Sequence, residues 1–598
     1  MAVSTSNITN GIGVKLTAYH NSDDVQLFWR TGVNGANDVP IPGCLGFAIE
    51  RRRKNAAGEW GAVEVLRNRV GFTNQLPIGA DGTPQYLTKP SNVWPFQRYD
   101  WTDHGANSGQ TVIYRVVAVG LQQGQAGDVE LEVIADSGWT EPITVDALTN
   151  NGISVFFNRG AVMSQYVSRI ARKNEWSAEE IKEHIRELEE PLRRFLAGEL
   201  RVELLRLLDQ VIDNPDLSFY AALYELSDAE LIQRLQLLRG RANIVLANGS
   251  NDSGDGNADA RAKLLEAEVN VLNRMLGTKG LGHNKFAVVV RTADQTPLSA
   301  WTGSTNWAAT GLCTQLNNGI LFENEAVAQL FLDQWNRLAA AQNSFPATLI
   351  SANAQSPRTV DDVDVWFTRI RNPPSSHHGQ PPPEPGDDIK ALIELVNSAQ
   401  NVILYVMFQP GPQPLASILL KAQDPQIIVK GVVSTVTSTN EEQFTTLGVD
   451  RESKTYKTAL IQPEGIGHDF SAWVQEVTRQ EFLFPQEHPG IGHAITHAKM
   501  IVIDPFSDDC KVITGSHNFS KSASERNDEN FVVIHGNRAL AEAYAVACLA
   551  TYDHYRWRAY VKEKSIAHEP VWDHLSATDA WQERLTDEAK KTLSVWCP

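Results

Sequence analysis

The chain has 598 residues, a net charge of −18, 42% apolar residues and 21% charged residues. This length is enough for roughly two to four domains with sizeable cores, and the composition is typical of a soluble globular protein. The acidic balance disfavours a dedicated duplex-DNA binder with a basic face and passive adsorption to anionic membranes. No apolar run is long enough to predict a membrane-spanning helix.

Residues 1–146 predict a domain built from β-strands. Apolar or alternating segments between turns rich in Gly, Asn and Asp indicate strands at 14–19, 25–29, 46–51, 112–119 and 129–134. Short strands at this spacing predict a small antiparallel β-sandwich. The segment loosely resembles fibronectin type III and immunoglobulin-like domains, without the cysteines of antibody domains. That resemblance implies an accessory module that binds, docks or shields.

Residues 150–350 predict a first α/β unit. Strands are expected at 154–157, 219–224 and 243–246, and helices at 178–214, 228–238 and 323–343, with a break in the longest at Pro191. This alternation favours a parallel or mixed sheet. The polar segment 248–259 lacks the spacing and final Glu of an EF-hand, so it is interpreted as a loop and not as a calcium site.

Residues 358–598 predict a second α/β unit with a helical tail. Strands are expected at 363–367, 402–408 and 427–433, a helix at 389–399, and an aromatic-rich helical tail from 541. His377 and His378 lie in the Pro-rich loop 372–388 with no carboxylate or cysteine at ligand spacing. They are interpreted as exposed loop residues and not as metal ligands.

A short pattern of polar residues occurs once in each α/β unit. The first copy has His283 and Lys285, an apolar strand, and then Gly303, Ser304 and Asn306; the second has His497 and Lys499, an apolar strand, and then Gly515, Ser516 and Asn518. His and Gly are separated by 20 positions in the first copy and by 18 in the second. Two such patterns at nearly equal spacing indicate a duplicated site.

The chemistry of these residue types fits a tetrahedral anion. A Lys ammonium attracts phosphate oxygens, Ser and Asn add hydrogen bonds, and an imidazole attacks or carries a proton. Since side chains two apart on a strand share a face, each His should point the same way as its Lys. Two copies that face each other would supply a nucleophile and an acid on opposite sides of a phosphorus atom.

The two copies resemble the signature of the phospholipase D superfamily, HxKxxxxD followed by GSxN, which its single-chain members carry twice. The second copy matches fully and includes Asp504, whereas the first has Val290 at the Asp position. The resemblance implies two pseudo-symmetric α/β halves packed together behind the β-sandwich, with one site at their seam, complete in a monomer. It also implies a metal-free reaction through a phosphohistidine, with the second His protonating the leaving alcohol.

A difference between the copies suggests the roles of the two histidines. Alignment of the strands that follow each GSxN puts Glu529 opposite Asn317. A carboxylate on the remote nitrogen of an imidazole favours its protonated form. We therefore expect Glu529, with Asp504 as a second candidate, to hold His497 protonated as the general acid, and His283 to be the nucleophile.

The sequence predicts a phosphodiesterase of the phospholipase D type that hydrolyses or transfers phospholipid headgroups without a cofactor or metal. A nuclease acting on DNA or RNA is the first alternative. A non-catalytic scaffold or binding protein is the second, because the Asp of the first copy is missing. The substrate headgroup is not readable from the sequence.

The compartment is predicted from the cysteines and the first residues. Five scattered cysteines without metal-ligand spacing fit reduced thiols, and residues 1–15 lack the basic region and apolar core of a signal peptide. Both features predict a cytoplasmic protein, and export without a cleaved leader stays open.

We expect activity to persist in EDTA, because no cluster of His, Cys or carboxylate residues stands at metal-ligand spacing in the sequence. Turnover of a chromogenic phosphodiester before and after dialysis against EDTA measures this. Complete loss that a divalent ion restores would contradict it.

Overall fold

The computed structural model describes the chain except for residues 1, 5–6, 10, 73–87, 122–128, 148–150, 161–166, 168–169, 172, 251–253, 374–383, 435–495, 567 and 569–573. His377 and His378 therefore lie outside the described residues. The chain divides into two compact units, residues 1–146 with 569–598 and residues 147–568. The tail 569–598, which the sequence analysis assigned to the second α/β half, belongs instead to the N-terminal unit.

The first unit contains thirteen described strands. They are β1 (Ala2–Val3), β2 (Asn7–Thr9), β3 (Ile12–His20), β4 (Val25–Val33), β5 (Ala36–Asn37), β6 (Gly46–Arg53), β7 (Glu64–Val65), β8 (Arg67–Asn68), β9 (Lys89–Pro90), β10 (Asp100–Asp103), β11 (Thr111–Gly120), β12 (Glu132–Asp136) and β13 (Ile143–Thr144). One sheet has the order β1-β3-β4-β10 and the other β12-β11-β6-β7, with antiparallel neighbours throughout. Trp29 of one sheet packs against Phe47 of the other with 5.4 Å between ring centroids. The predicted antiparallel β-sandwich is confirmed, while its fibronectin-like identity stays a prediction.

The C-terminal segment completes the core of this sandwich. It contains a 3₁₀ helix, Asp579–Arg584, and an α-helix, Asp587–Trp596. Trp581 meets Phe47 edge to face and Trp596 stacks on Phe28, with 5.9 Å and 5.4 Å between centroids. Sequence reasoning missed this placement because a pairing between the two ends of a chain leaves no local signal.

The second unit contains two halves, each built around a seven-stranded sheet. The first half has β14 (Ile153–Phe157), β15 (Leu217–Leu223), β16 (Ala242–Ala247), β17 (Asn270–Arg274), β18 (Lys285–Arg291), β19 (Thr296–Gly303) and β20 (Asn318–Phe322). The second has β21 (Arg358–Val360), β22 (Val363–Thr368), β23 (Val402–Met407), β24 (Ile428–Val433), β25 (Lys499–Ile503), β26 (Lys511–Gly515) and β27 (Glu529–His535).

The two sheets share one topology. The first has the order β14-β20-β19-β18-β15-β16-β17 and the second β21-β22-β27-β26-β25-β23-β24. Six consecutive strands correspond: β14-β20-β19-β18-β15-β16 in the first half and β22-β27-β26-β25-β23-β24 in the second. Among the described strands of these sheets, the parallel pairs are β15–β16 and β16–β17 in the first half and β23–β24 in the second. The α/β class, with two pseudo-symmetric halves that follow a β-sandwich in the chain, is thereby confirmed.

Helices flank both sheets. The first half has Ala178–Arg186, Pro191–Asp213, Ala229–Leu238, Ala258–Glu266, Ala309–Cys313, Glu325–Ala341 and Ala347–Asn353; the second has Asp387–Asn397, Pro412–Lys421, Lys521–Glu525 and Arg538–Ile566. Short 3₁₀ turns lie at Arg239–Arg241 and Gly277–Lys279. The predicted break at Pro191 separates two helices, because proline is tolerated in the first turn of the second one. None of the described helices is long and apolar enough to cross a membrane.

The closing helix of each half packs against a strand of the other half: β22 in one direction and β14 in the other. Phe331, on the helix Glu325–Ala341, packs against Phe367 of β22 with 5.3 Å between centroids. Tyr544, on the helix Arg538–Ile566, packs against Phe157 of β14 at the same distance. These two contacts bury the interface between the halves, which we call the seam.

Candidate active site

Two backbone contacts across the seam bring the motifs together. Gly282, beside His283, forms a parallel bridge with Asp528, and Leu316 forms the same bridge with Thr496, beside His497. The first bridge places His283 next to Glu529, the first residue of β27. The second places His497 next to Asn317, which directly precedes β20. The arrangement is therefore crossed, and it is the same in both directions.

The first imidazole is held by a carboxylate from the second half. His283 Nδ1 lies 2.7 Å from Glu529 Oε2, and Ser516 Oγ donates to the same oxygen at 2.8 Å. Burial alone would raise the pKa of Glu529, but His283 and Lys285 together lower it, so this group is a carboxylate. A carboxylate only accepts, so His283 donates from Nδ1 and its Nε2 carries the lone pair.

The second imidazole is held by an amide from the first half. His497 Nδ1 lies 2.9 Å from Asn317 Oδ1, which also accepts from Ser304 Oγ at 2.8 Å. Asn317 Nδ2 donates to Gly311 O at 2.8 Å, which fixes the orientation of the amide. His497 therefore also donates from Nδ1 and leaves Nε2 for chemistry.

This pairing corrects the sequence-based assignment of partners. We expected Glu529 to hold His497, the histidine of its own copy, but it contacts His283, and Asn317 contacts His497. Alignment of the two copies identified the correct polar pair but assumed pairing within a copy. The bridges across the seam exchange the partners.

Glycine precedes each motif serine because the backbone leaves no room for a side chain. Gly303 has φ 150° and Gly515 has φ 153°. A Cβ would lie 2.3 Å from Asn318 O in the first half and 2.4 Å from Asn530 O in the second. This close approach lets the Ser304 and Ser516 amides donate to those carbonyl groups at 3.0 and 2.9 Å.

Both lysines are held by the carbonyl group of their histidine and by an aromatic ring. Lys285 Nζ donates to His283 O at 2.8 Å and lies 5.2 Å from the centre of the Tyr224 ring. Lys499 Nζ donates to His497 O and lies 5.0 Å from the centre of the Phe408 ring. Tyr224 and Phe408 directly follow β15 and β23, so their positions correspond.

Burial sets the protonation states of the site. It lowers the pKa of Lys285 to about 8 and that of His283 to about 4, with Glu529 opposing the shift in both cases. Burial also lowers the pKa values of Lys499 and His497. Both imidazoles are therefore neutral at pH 7 before a substrate brings its negative charge.

A further carboxylate, which the sequence analysis missed, lies at the site. Glu225 directly follows Tyr224, and its Oε2 accepts from Asn306 Nδ2 at 2.8 Å. Asn306 Oδ1 and Asn518 Oδ1 are buried without a hydrogen-bond partner in the described structure. The signal available in the sequence was a charged residue directly after a buried strand.

Asp504 lies away from the site, contrary to the sequence-based expectation. Its oxygens accept from the backbone N–H groups of Gln400, Asn401 and Val402 at 2.7–2.8 Å. It follows the last residue of β25, five positions and roughly 16 Å along the chain from Lys499 at ~3.3 Å a residue. The motif Asp thus caps a turn, and Val290 in the first copy removes no group from the reacting centre.

A buried ion pair braces the seam beside Glu529. Arg274 Nε lies 2.8 Å from Asp528 Oδ2, and both side chains are buried. The guanidinium of Arg274 and that of Arg369 lie 5.0 and 4.6 Å from the centre of the Phe345 ring, so the ring is shared by one arginine of each half. Across the described residues, no group of three or more His, Cys, Asp or Glu side chains is placed to hold a metal ion.

Residues 392–547 match the family model described as cardiolipin synthase, PLD-like domain. The match lies in the second half and supports the resemblance to the phospholipase D superfamily. No curated protein sequence is similar enough to this chain to count as a match.

Solved structures show partial similarity. A polyphosphate kinase from Porphyromonas gingivalis has 12% identity and a TM-score of 0.35, over 55% of this chain and 45% of its own. A phospholipase D family member, Nuc, from Salmonella typhimurium has 18% identity and a TM-score of 0.20, over 24% of this chain and 91% of its own. A phosphatidylserine synthase from Haemophilus influenzae Rd KW20 has 11% identity and a TM-score of 0.36, over 66% and 93%. This chain thus spans less than half of the kinase.

Replacement of Asp504 should affect stability and spare the chemistry. Asp504→Ala removes the acceptor for three backbone N–H groups, and we expect a loss of about 2–4 kcal/mol in the free energy of unfolding. Asp504→Asn, which keeps one oxygen, should lose less. Urea denaturation followed by fluorescence measures both, and turnover per folded molecule should stay within about threefold of wild type. A stable but inactive Asp504→Ala protein would contradict the structural role.

Proposed function

We propose that the second unit is a phosphodiesterase that works through a covalent phosphohistidine. One observation carries the proposal: each imidazole is oriented through Nδ1 by a residue of the other half, so two neutral Nε2 atoms are left for chemistry. Two lysines and two asparagines accompany them, which suits a phosphoryl group between the imidazoles.

The reaction proceeds in two displacements. In the first, His283 Nε2 attacks phosphorus and the bond to the leaving oxygen breaks, while His497, protonated as the anionic substrate binds, gives its Nε2 proton to that oxygen. In the second, His497 takes a proton from water or another alcohol, whose oxygen displaces His283 and frees a phosphate monoester or a new diester.

We propose His283 as the nucleophile. The reason is its contact with Glu529. An imidazole phosphorylated on Nε2 while Nδ1 keeps its proton is a fixed cation until the bond to phosphorus breaks. Glu529 is the counter-ion that such a cation needs. The acid loses its charge during the step, so the neutral Asn317 is sufficient for His497.

A phospholipid is the proposed substrate. The family model that matches the second half is described as cardiolipin synthase, PLD-like domain, and the net charge of −18 disfavours a nucleic-acid polyanion. The choice of headgroup, and hydrolysis against transfer, are open within this proposal. A nuclease and a non-catalytic binding protein remain the alternatives to be tested.

Product analysis separates the three functions. We expect the purified protein in EDTA to release headgroups from mixed phospholipid vesicles and to leave single-stranded and duplex nucleic acid intact. His283→Ala and His497→Ala should each lower turnover at least about a thousandfold, because nucleophile and acid act as a unit. Nucleic-acid products alone would indicate the nuclease, and no product from any substrate would favour the binding protein.

Trapping of the intermediate identifies the nucleophile. His497→Ala with a nitrophenyl phosphodiester, whose leaving group needs no proton, should accumulate an adduct because the base of the second step is missing. We expect peptide mass spectrometry after denaturation at neutral pH to locate the adduct on His283, and His283→Ala to give none. An adduct on His497 in the His283→Ala protein would reverse the roles and leave the duplicated site intact.

A further inference from the structure

Glu225 adds a second carboxyl group, besides Glu529, to the site. Burial raises the pKa of Glu225, and Lys285, the Asn306 amide and Lys499 oppose that shift and favour its charged form. Glu225 is the second residue after β15, and the side-chain amide of the motif residue Asn306 donates to it at 2.8 Å. Its charge acts on both motif lysines: burial lowers the pKa values of Lys285 and Lys499, and Glu225, together with Glu529, opposes that shift. A carboxylate repels an anion and so weakens the binding of phosphate. Its presence is therefore not explained by phosphate binding alone.

The equivalent position of the second half, in the part that the structure describes, carries no charge. Leu223 at the end of β15 pairs with Lys285, and Met407 at the end of β23 pairs with Lys499. Two positions further on, the corresponding residues are Glu225 and Gln409. The sequence of the second half thus shows that the fold accepts an uncharged residue here.

The charges of the site set a limit on the ligand. Before a ligand binds, both imidazoles are neutral, and among the described residues the motif lysines Lys285 and Lys499 supply the positive charge that faces the carboxylates of Glu529 and Glu225. A phosphodiester brings one negative charge, whereas a phosphate monoester brings close to two at neutral pH. Because the energy between charges is proportional to their product, Glu225 disfavours the dianion about twice as strongly, in free energy, as the monoanion.

We propose that Glu225 is a specificity-determining residue that makes the site accept monoanionic phosphodiesters and reject dianionic phosphate monoesters. The inference rests on the proposed phosphodiesterase function and extends it to the charge of the substrate. The same repulsion acts on the phosphate monoester that hydrolysis produces. Glu225 thus limits product inhibition as well as the entry of monoesters.

The anion pair sulfate and methyl sulfate tests this without turnover. Both are tetrahedral, and at pH 7 sulfate is a dianion and methyl sulfate a monoanion. This pH lies below the pKa of about 8 of Lys285. Binding to the full chain is measured by isothermal titration calorimetry for wild type, Glu225→Gln and Glu266→Gln. Glutamine keeps an oxygen acceptor for Asn306, and Glu266 is an exposed residue of the helix Ala258–Glu266 that matches the chemical change.

We expect Glu225→Gln to bind methyl sulfate about fivefold and sulfate about 25-fold more tightly than wild type, the second factor being the square of the first. Glu266→Gln should match wild type for both. Equal factors for the two anions, including no change in either, would show that Glu225 only anchors Asn306 and would overturn the proposal. If neither wild type nor Glu225→Gln binds either anion, the anion site fails and the proposed phosphodiesterase function fails with it.

Discussion

The site depends on the exchange of partners across the seam. Each histidine is oriented by a residue that the other half contributes, through Glu529 for His283 and Asn317 for His497. The side chain of that partner is itself fixed by the serine of its own GSxN segment. Neither imidazole is oriented by its own half, so the site is complete only where the two halves pack together.

The pseudo-symmetry of the two halves places equivalent side chains at equivalent positions, and sequence differences between the halves change the charges there. The sheets, the strained glycines, the lysines and the aromatic rings beside them repeat in the two halves. Three of the exchanges that break the repeat involve a charged residue: Glu529 against Asn317, Glu225 against Gln409, and Asp504 against Val290. The first two change the charge at the reacting centre, whereas the third changes only the cap of a distant turn.

The sequence predicted the fold class and most elements, because strands and helices leave periodic local signals. The sandwich strands, the helix break at Pro191 and the strands after both histidines are found where expected, with ends that differ by a few residues. It did not predict contacts between distant segments. Three such contacts join segments far apart in the chain: Trp596 with Phe28, each histidine with its partner in the other half, and Glu225 with Asn306. Asp504 was misplaced because the alignment of a motif carries no information on where a side chain points.

The crossed pairing of the histidines depends on the ion pair between Arg274 and Asp528, because this pair neutralises the acid next to Glu529. Asp528 and Glu529 are consecutive and both buried, and two unpaired carboxylates so close would oppose each other's ionisation. Burial raises the pKa of Asp528, and Arg274 opposes the shift. The first half thus neutralises one acid of the second half and leaves the next one charged for His283. Arg274 touches neither imidazole, yet it neutralises the acid next to the carboxylate that pairs with His283.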